Sequence, residues 1–277
     1  MHTVGQVVHT LPEGDRVCGV TSFGEEIYVL RWMQWNRRGE VEVYDVITYR
    51  IQRRLAVPEA LGFTDLASCE HHRCLYASDN VAGCVHRLDI QGAATRWVVN
   101  GTPWSVSVNS AHNVMVTCGN LGRVKEFTTS GHLLREIALP DDVVNPWHAV
   151  MTDAGRLIVS NGFIYSAVHR VCVLSSDGRR VVYSHGGQSG SDVDQHEMPR
   201  HLAVDGNGSV FVVDIVNRRV TMLSPTLDYV RQVVSPRQLK WWPYRLSLDA
   251  RRRRLYVTDN EFDAGEYKSG RVVVFSV

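Results

Sequence analysis

Met198-Pro-Arg-His-Leu-Ala-Val-Asp205, then Gly206-Asn-Gly208, then Val210-Phe-Val-Val-Asp214 and Asn217-Arg-Arg-Val220: this stretch decides the fold. It reads as a short β-run ending in an acid, a glycine turn, a second β-run ending in aspartate, and a third run opened by arginine. Degraded copies fill the chain, with first strands beginning near Val17, Asp65, Trp104, Trp147, Arg200 and Tyr244. A repeat of roughly 40–50 residues built from short β-rich runs is the mark of a propeller.

The copies align part by part. The second strands read Ile27-Tyr-Val-Leu-Arg31, Leu75-Tyr-Ala-Ser-Asp79, Val114-Met-Val-Thr-Cys118, Leu157-Ile-Val-Ser-Asn161, Val210-Phe-Val-Val-Asp214 and Leu255-Tyr-Val-Thr-Asp259. The third read Val41–Tyr44, Arg87–Ile90, Arg123–Phe127, Arg170–Leu174, Arg219–Leu223 and Arg271–Phe275. Turn signals such as Thr129-Ser-Gly131 and Ser176-Asp-Gly178 then lead into a fourth, more polar strand. The expectation is an all-β, six-bladed propeller of four-stranded antiparallel blades forming a single domain over residues 1–277. The last unit stops at Val277 without a fourth strand. The segment Val4-Gly-Gln-Val-Val-His9 is expected to supply it, completing blade six and covering a sheet edge.

Composition agrees. A hydrophobic share of 44% suffices for a core divided between blades, and no apolar run approaches the roughly 18–20 residues that span a bilayer. The opening Met1-His-Thr-Val has neither a basic start nor an apolar stretch, so no signal peptide is read and a cytoplasmic location is expected. Cys18, Cys69, Cys74, Cys84, Cys118 and Cys172 show no metal-site spacing. Buried free thiols in a reducing compartment are the better reading, with a Cys69–Cys74 bridge the alternative.

A formal net charge of +1 gives no overall pull toward nucleic acid. The basic residues are almost all arginine, the only lysines being Lys125, Lys240 and Lys268. Arg87, Arg123, Arg170, Arg219 and Arg271 open third strands and are expected to pair with aspartates such as Asp79, Asp214 and Asp259. Arg251-Arg-Arg-Arg254 reads as a solvated hairpin turn.

Pro199-x-x-Leu-Ala-Val-Asp205, the Val-rich strand ending in Asp214, and Asn217-x-Arg-Val220 together resemble the NHL repeat. Gly186-Gly-Gln-Ser-Gly-Ser-Asp192 is similar to the connector that family places between blades. The resemblance is strong in blade five, fair in blades three, four and six, and weak in blades one and two. It implies a domain like that of tripartite-motif proteins, which binds RNA or protein, and more distantly the peptidyl-hydroxyglycine amidating lyase. The fold hosts binding and catalysis alike. No RING finger, B-box or coiled coil is read in the chain, so a ubiquitin-ligase role is not expected.

Aligning the units on their prolines places Asp65, Ser105, His148, His201 and Arg245 at equivalent channel positions, with Val17 or Cys18 from blade one. Beside them come Trp104, Trp147, Arg200 and Tyr244, with Trp241 and Trp242 just ahead. Aromatic rings beside arginine suit stacking on bases or aromatic side chains. The alternative is that the rings wedge between blades. The resemblance to the amidating lyase, which binds zinc through three Pro-x-His histidines, implies a metal role for Pro146-Trp-His148 and Pro199-Arg-His201, joined here by Asp65. A third such histidine is missing. Without metal, His148, His201, Asp65 and Arg245 suit acid, base and anion-clamp roles.

His71-His72 reads as a solvent-facing turn. His185 and His196 bracket the glycine-rich connector, which lacks the strand-to-helix setting of a phosphate loop. No nucleophile elbow, His-Glu-x-x-His or calcium loop appears. The reading is therefore a monomeric recognition module for a partner protein or single-stranded RNA, with no cofactor and no membrane partner. Its ligand face carries Trp104, Ser105, Trp147, Arg200 and Tyr244. The alternative is a channel enzyme, a metal-dependent lyase or hydrolase using zinc or a similar divalent ion.

Overall fold

The second strand of each blade is buried almost without a break, on both faces, so each blade packs against the next and six sheets stack around an axis. In the computed structural model, residues 5–33, 38–57 and 59–277 are described. Each of six sheets has four antiparallel strands, and regular helix is confined to two single 3-10 turns, Gly119–Leu121 and Pro236–Gln238. The innermost strands are Arg16–Phe23, Phe63–Cys69, Pro103–Val108, Pro146–Met151, Pro199–Val204 and Trp242–Asp249. The core is split between neighbouring blades. Tyr28, Leu30 and Val43 of the first blade pack with Phe63, Leu66 and Leu75 of the second, and Phe211 and Val213 of the fifth pack with Leu255 and Phe275 of the sixth.

The sixth sheet runs Val7–Thr10, Glu266–Ser276, Arg254–Asp263, Trp242–Asp249 from outside inward, so the N-terminal strand completes the last blade. Val4, the first residue of that expected strand, and the opening residues 1–3 lie outside the described residues. Leu11, just past the strand, donates its N–H to Val272 at 2.9 Å and is buried.

The third strand of the second blade is Cys84–Asp89, three residues ahead of the expected start at Arg87. A four-residue turn after Asp79 brings Cys84, not Arg87, opposite that aspartate. Arg87 therefore pairs with Asp89 at 2.8 Å, and Asp79 meets His86 at 3.6 Å. Elsewhere Arg219 reaches Asp214 and Arg271 reaches Asp259, both at 2.9 Å, as the repeat suggests. Arg123, which opens its strand, and Arg170, second in its strand after His169, take Glu136 and Asp142 instead, because Cys118 and Asn161 end the facing strands. All six cysteines are free and buried, Cys69 lying opposite Cys74 without a bond. Among the described residues no helix is long and apolar enough to cross a membrane.

Candidate functional site

The channel lining follows from a bulge repeated in every blade. In blades three, four and five the proline that opens the innermost strand pairs with the last residue of the second strand. One residue is then skipped, and pairing resumes at Ser105, His148 and His201. A bulge leaves one residue outside the ladder and re-aims its neighbours. Here it turns Trp104, Trp147 and Arg200 toward the face where the innermost strands begin, called the upper face below. In blade six the skip spans Tyr244 and Arg245, between Pro243 and Leu246. In blade one pairing resumes at Gly19, so the channel position expected of Val17 or Cys18 belongs to a glycine. That blade has no proline to mark its register. The backbone of Leu66 comes so close that a Cβ on Gly19 would lie 2.6 Å from its nitrogen.

Four of the expected channel residues converge. Arg245 Nε lies 3.0 Å from Asp65, His201 Nε2 lies 3.3 Å from it, and His148 Nε2 3.9 Å. The two imidazoles stack at 3.8 Å between centroids. All four residues are buried, Asp65 completely. Each ties its blade to another. Asp65 accepts the N–H of Val106, His148 Nδ1 that of Leu202, His201 Nδ1 that of Leu246, and Arg245 donates to the carbonyl of Thr64. Ser105 also faces inward and is buried, but its hydroxyl finds no partner among the described residues.

These bonds set the protonation states. An Nδ1 that accepts a backbone N–H carries no proton, so in each neutral ring the proton is on Nε2, which in His201 lies within hydrogen-bond reach of Asp65. Burial, then the neighbouring His201 and Arg245, hold His148 well below its ordinary 6.5 against the opposing pull of Asp65. Burial also lowers His201. Burial works to raise Asp65, but His201, Arg245 and His148 outweigh it and keep the carboxyl well below the usual range.

The same geometry tests the metal reading. Asp65, His148 and His201 place three ligand atoms within 4.8 Å of one another. A cation there needs two Nε2 lone pairs, yet these nitrogens carry the protons, and Asp65 already receives Arg245 and the N–H groups of Leu66 and Val106. The donor set is spent on holding the blades together and does not fit a zinc site.

Around this belt the upper face carries the aromatic positions read from sequence. Trp147 is buried, its indole N–H donating to the carbonyl of Gly162 at 2.7 Å. It packs edge-on against Trp104 at 4.1 Å and joins the core between blades five and six. It is a wedge, not the open stacking platform expected. Arg200 lies over the Trp147 ring at 3.8 Å and 5.1 Å from that of Tyr244. Trp241 and Trp242 lie farther out, beside Lys240 and Arg218.

Two residues that sequence reading missed complete the mouth: Tyr267, whose ring is 5.4 Å from that of Tyr244, and Arg16, 3.8 Å over Tyr267. Phe163-Ile164-Tyr165, in the second-to-third-strand loop of blade four, is also exposed on this face, Tyr165 by 91%. Three consecutive apolar residues where a turn should be polar were the available signal.

The other histidines are accounted for. His196 Nδ1 meets Asp214 at 3.2 Å, and His185 Nε2 meets the carbonyl of Val193. His71 and His72 are exposed, and His71 stacks on His112 at 4.2 Å.

No protein-family model and no curated relative matches the chain. Solved structures do. Virginiamycin B lyase from Staphylococcus aureus aligns over 96% of this chain and 99% of its own, at 10% identity and a TM-score of 0.64. Kuenenia stuttgartiensis hydrazine synthase aligns over 91% and 94%, at 13% identity and 0.64. A chain of the nidogen/laminin complex aligns over 83% and 84%, at 12% identity and 0.64. At these identities the likeness is one of fold, the six-bladed propeller.

Proposed function

We propose that this propeller is a recognition module that binds a partner protein on its upper face. The observation that carries the reading is where exposed apolar side chains gather. Leu61, Val81, Leu121, Phe163 and Tyr165 stand on loops of that face, and Phe262 near the end of a strand that reaches it, together drawn from four blades. Among the described residues the loops of the opposite face expose one large apolar side chain, Ile47. Apolar groups concentrated on one face and ringed by polar ones mark a protein contact. The closed hydrogen-bonding of Asp65, His148, His201 and Arg245 gives that belt a structural job and weighs against the channel-enzyme alternative. The NHL-like phrase and the protein contact named for the nidogen/laminin complex point the same way.

RNA is the weaker ligand class. The rim of the mouth exposes Glu13, Glu59, Asp141, Asp142, Asp263 and Glu266, four of them ion-paired to Lys240, Arg96, Arg170 and Lys268, so it is a mixed-charge rim and not the basic one a phosphate chain would need. The test is a photocrosslinking amino acid placed at Tyr165, at Phe262 or, as control, at Ile47, in extract of the source organism. Nuclease-resistant protein adducts from Tyr165 and Phe262, absent from Ile47, are expected. Adducts removed by nuclease would move the reading to RNA, and equal labelling at Ile47 would remove the face preference altogether.

A further inference from the structure

The chain neutralises its buried arginines with care. Arg31 has Glu42, Arg219 has Asp214, and Arg245 has Asp65. Arg200 breaks the rule. Among the described residues it makes no ion pair and no side-chain hydrogen bond, and its Nε is sealed from solvent without an acceptor. Arg16, the second cation at the mouth, likewise has only the Tyr267 ring against it. Both side chains are only partly buried, but a guanidinium without a counter-ion and with a sealed, unpaired Nε–H is still a cost to the fold. A ligand that brings an anion removes that cost on binding.

The surroundings are built for one. The rings of Trp147 and Tyr244 hold the Arg200 guanidinium, and with Nε sealed the two terminal nitrogens are the pair left to meet a carboxylate with two parallel hydrogen bonds. Burial, then the repulsion of Arg245, brings the Arg200 pKa down to about 10, so it stays charged at neutral pH. Burial and the adjoining Tyr267 keep the Tyr244 phenol protonated. The Ser105 hydroxyl just inside the mouth is a further donor without a partner.

Resting on the reading of the upper face as a protein-recognition surface, we infer that Arg200 and Arg16 form an anion site at the channel mouth, and that its occupant is a single carboxylate of the partner. The mixed-charge rim sets the rest of that segment. Flanking residues that are basic or apolar suit Asp141 and Asp263, exposed rim acids outside the ion pairs, better than a chain of phosphates does.

The probes are the tripeptide acetyl-Leu-Glu-Lys-amide, its glutamine counterpart, inorganic phosphate and adenosine monophosphate, titrated at constant ionic strength into protein labelled with 15N-arginine. The Arg200 Nε–H signal is identified by its loss in Arg200→Met. The glutamate peptide is expected to shift it to saturation and to raise Tm in the wild type but not in Arg200→Met, while the glutamine peptide does neither. Without ligand, Arg200→Met is expected to melt at or above the wild-type Tm, because it removes an unpaired charge and keeps the stacking bulk. A fall of several degrees would make Arg200 packing glue and overturn the site. Response to phosphate or adenosine monophosphate with a silent glutamate peptide would overturn the carboxylate. Silence to every probe, with Tyr165 adducts intact, would remove the anion site and leave the recognition face standing.

Discussion

Trp147 and Arg200 occupy the same bulge position in neighbouring blades and do opposite work. The indole of Trp147 is enclosed, hydrogen-bonded to Gly162 and packed against Trp104, so removing it leaves a cavity that the rigid sheets around it cannot fill. Trp147→Ala is expected to cost about 3–5 kcal/mol of folding stability, the range for deleting a buried tryptophan. Denaturant unfolding of the two proteins measures it, and a loss under about 1 kcal/mol would return Trp147 to the list of open ligand platforms. Arg200 is half-enclosed and uncompensated, so its replacement by Met is expected to spare the fold. The Pro-x-His phrase reveals both positions, because a bulge after proline is a local event. It does not reveal which side chain is covered. That depends on the blade next door, and on Tyr267, which reaches the mouth from the other end of the chain.

At the scale of a strand or a blade, what could be read depended on how local the signal was. The second strands of blades three, four and five match the expected runs residue for residue, since each is a short continuous apolar run bounded by its own turns. The third strand of blade two and the channel position of blade one did not follow. The first lacks an arginine to mark its start, and the second lacks a proline, so register there was set by the short turn after Asp79 and by the close approach of Leu66 to Gly19. Closure of the ring was legible for a different reason, that an outer strand was missing and only one segment was unassigned. Val7–Thr10 covers the edge of Glu266–Ser276, and Gly5 and Leu11 add hydrogen bonds to Val233 and Val272. Deleting residues 1–10 is therefore expected to lower the unfolding midpoint by far more than loss of a loose end would, and to promote association through the bared edge. Unfolding curves with size-exclusion chromatography check this, and an unchanged monomer with an unchanged midpoint would refute it.

Across the whole molecule, the buried belt links blades two, four, five and six through one carboxylate, so its protonation states bear on the stability of the ring as a unit. His148 and His201 have folded pKa values below their ordinary 6.5 because burial penalises the imidazolium. A depressed histidine means that the unfolded chain binds the proton first. Its contribution is therefore fully present above about pH 6.5 and is lost as the pH falls below that value toward the folded pKa. Each histidine contributes a slope of up to about 1.4 kcal/mol per pH unit, so the pair gives about 2.8. Asp65 acts in a lower window. Its folded pKa lies below the ordinary 3.8, so its contribution is present above pH 3.8 and lost as the pH falls further. Unfolding free energies measured between pH 7.5 and 4.5 are expected to fall steeply from about pH 6.5, and the fall is expected to flatten in the His148→Gln/His201→Gln double variant. A wild-type profile level across that range would mean that the two rings take up protons in place, with Asp65 as counter-ion, and the belt would then be open to acid–base work.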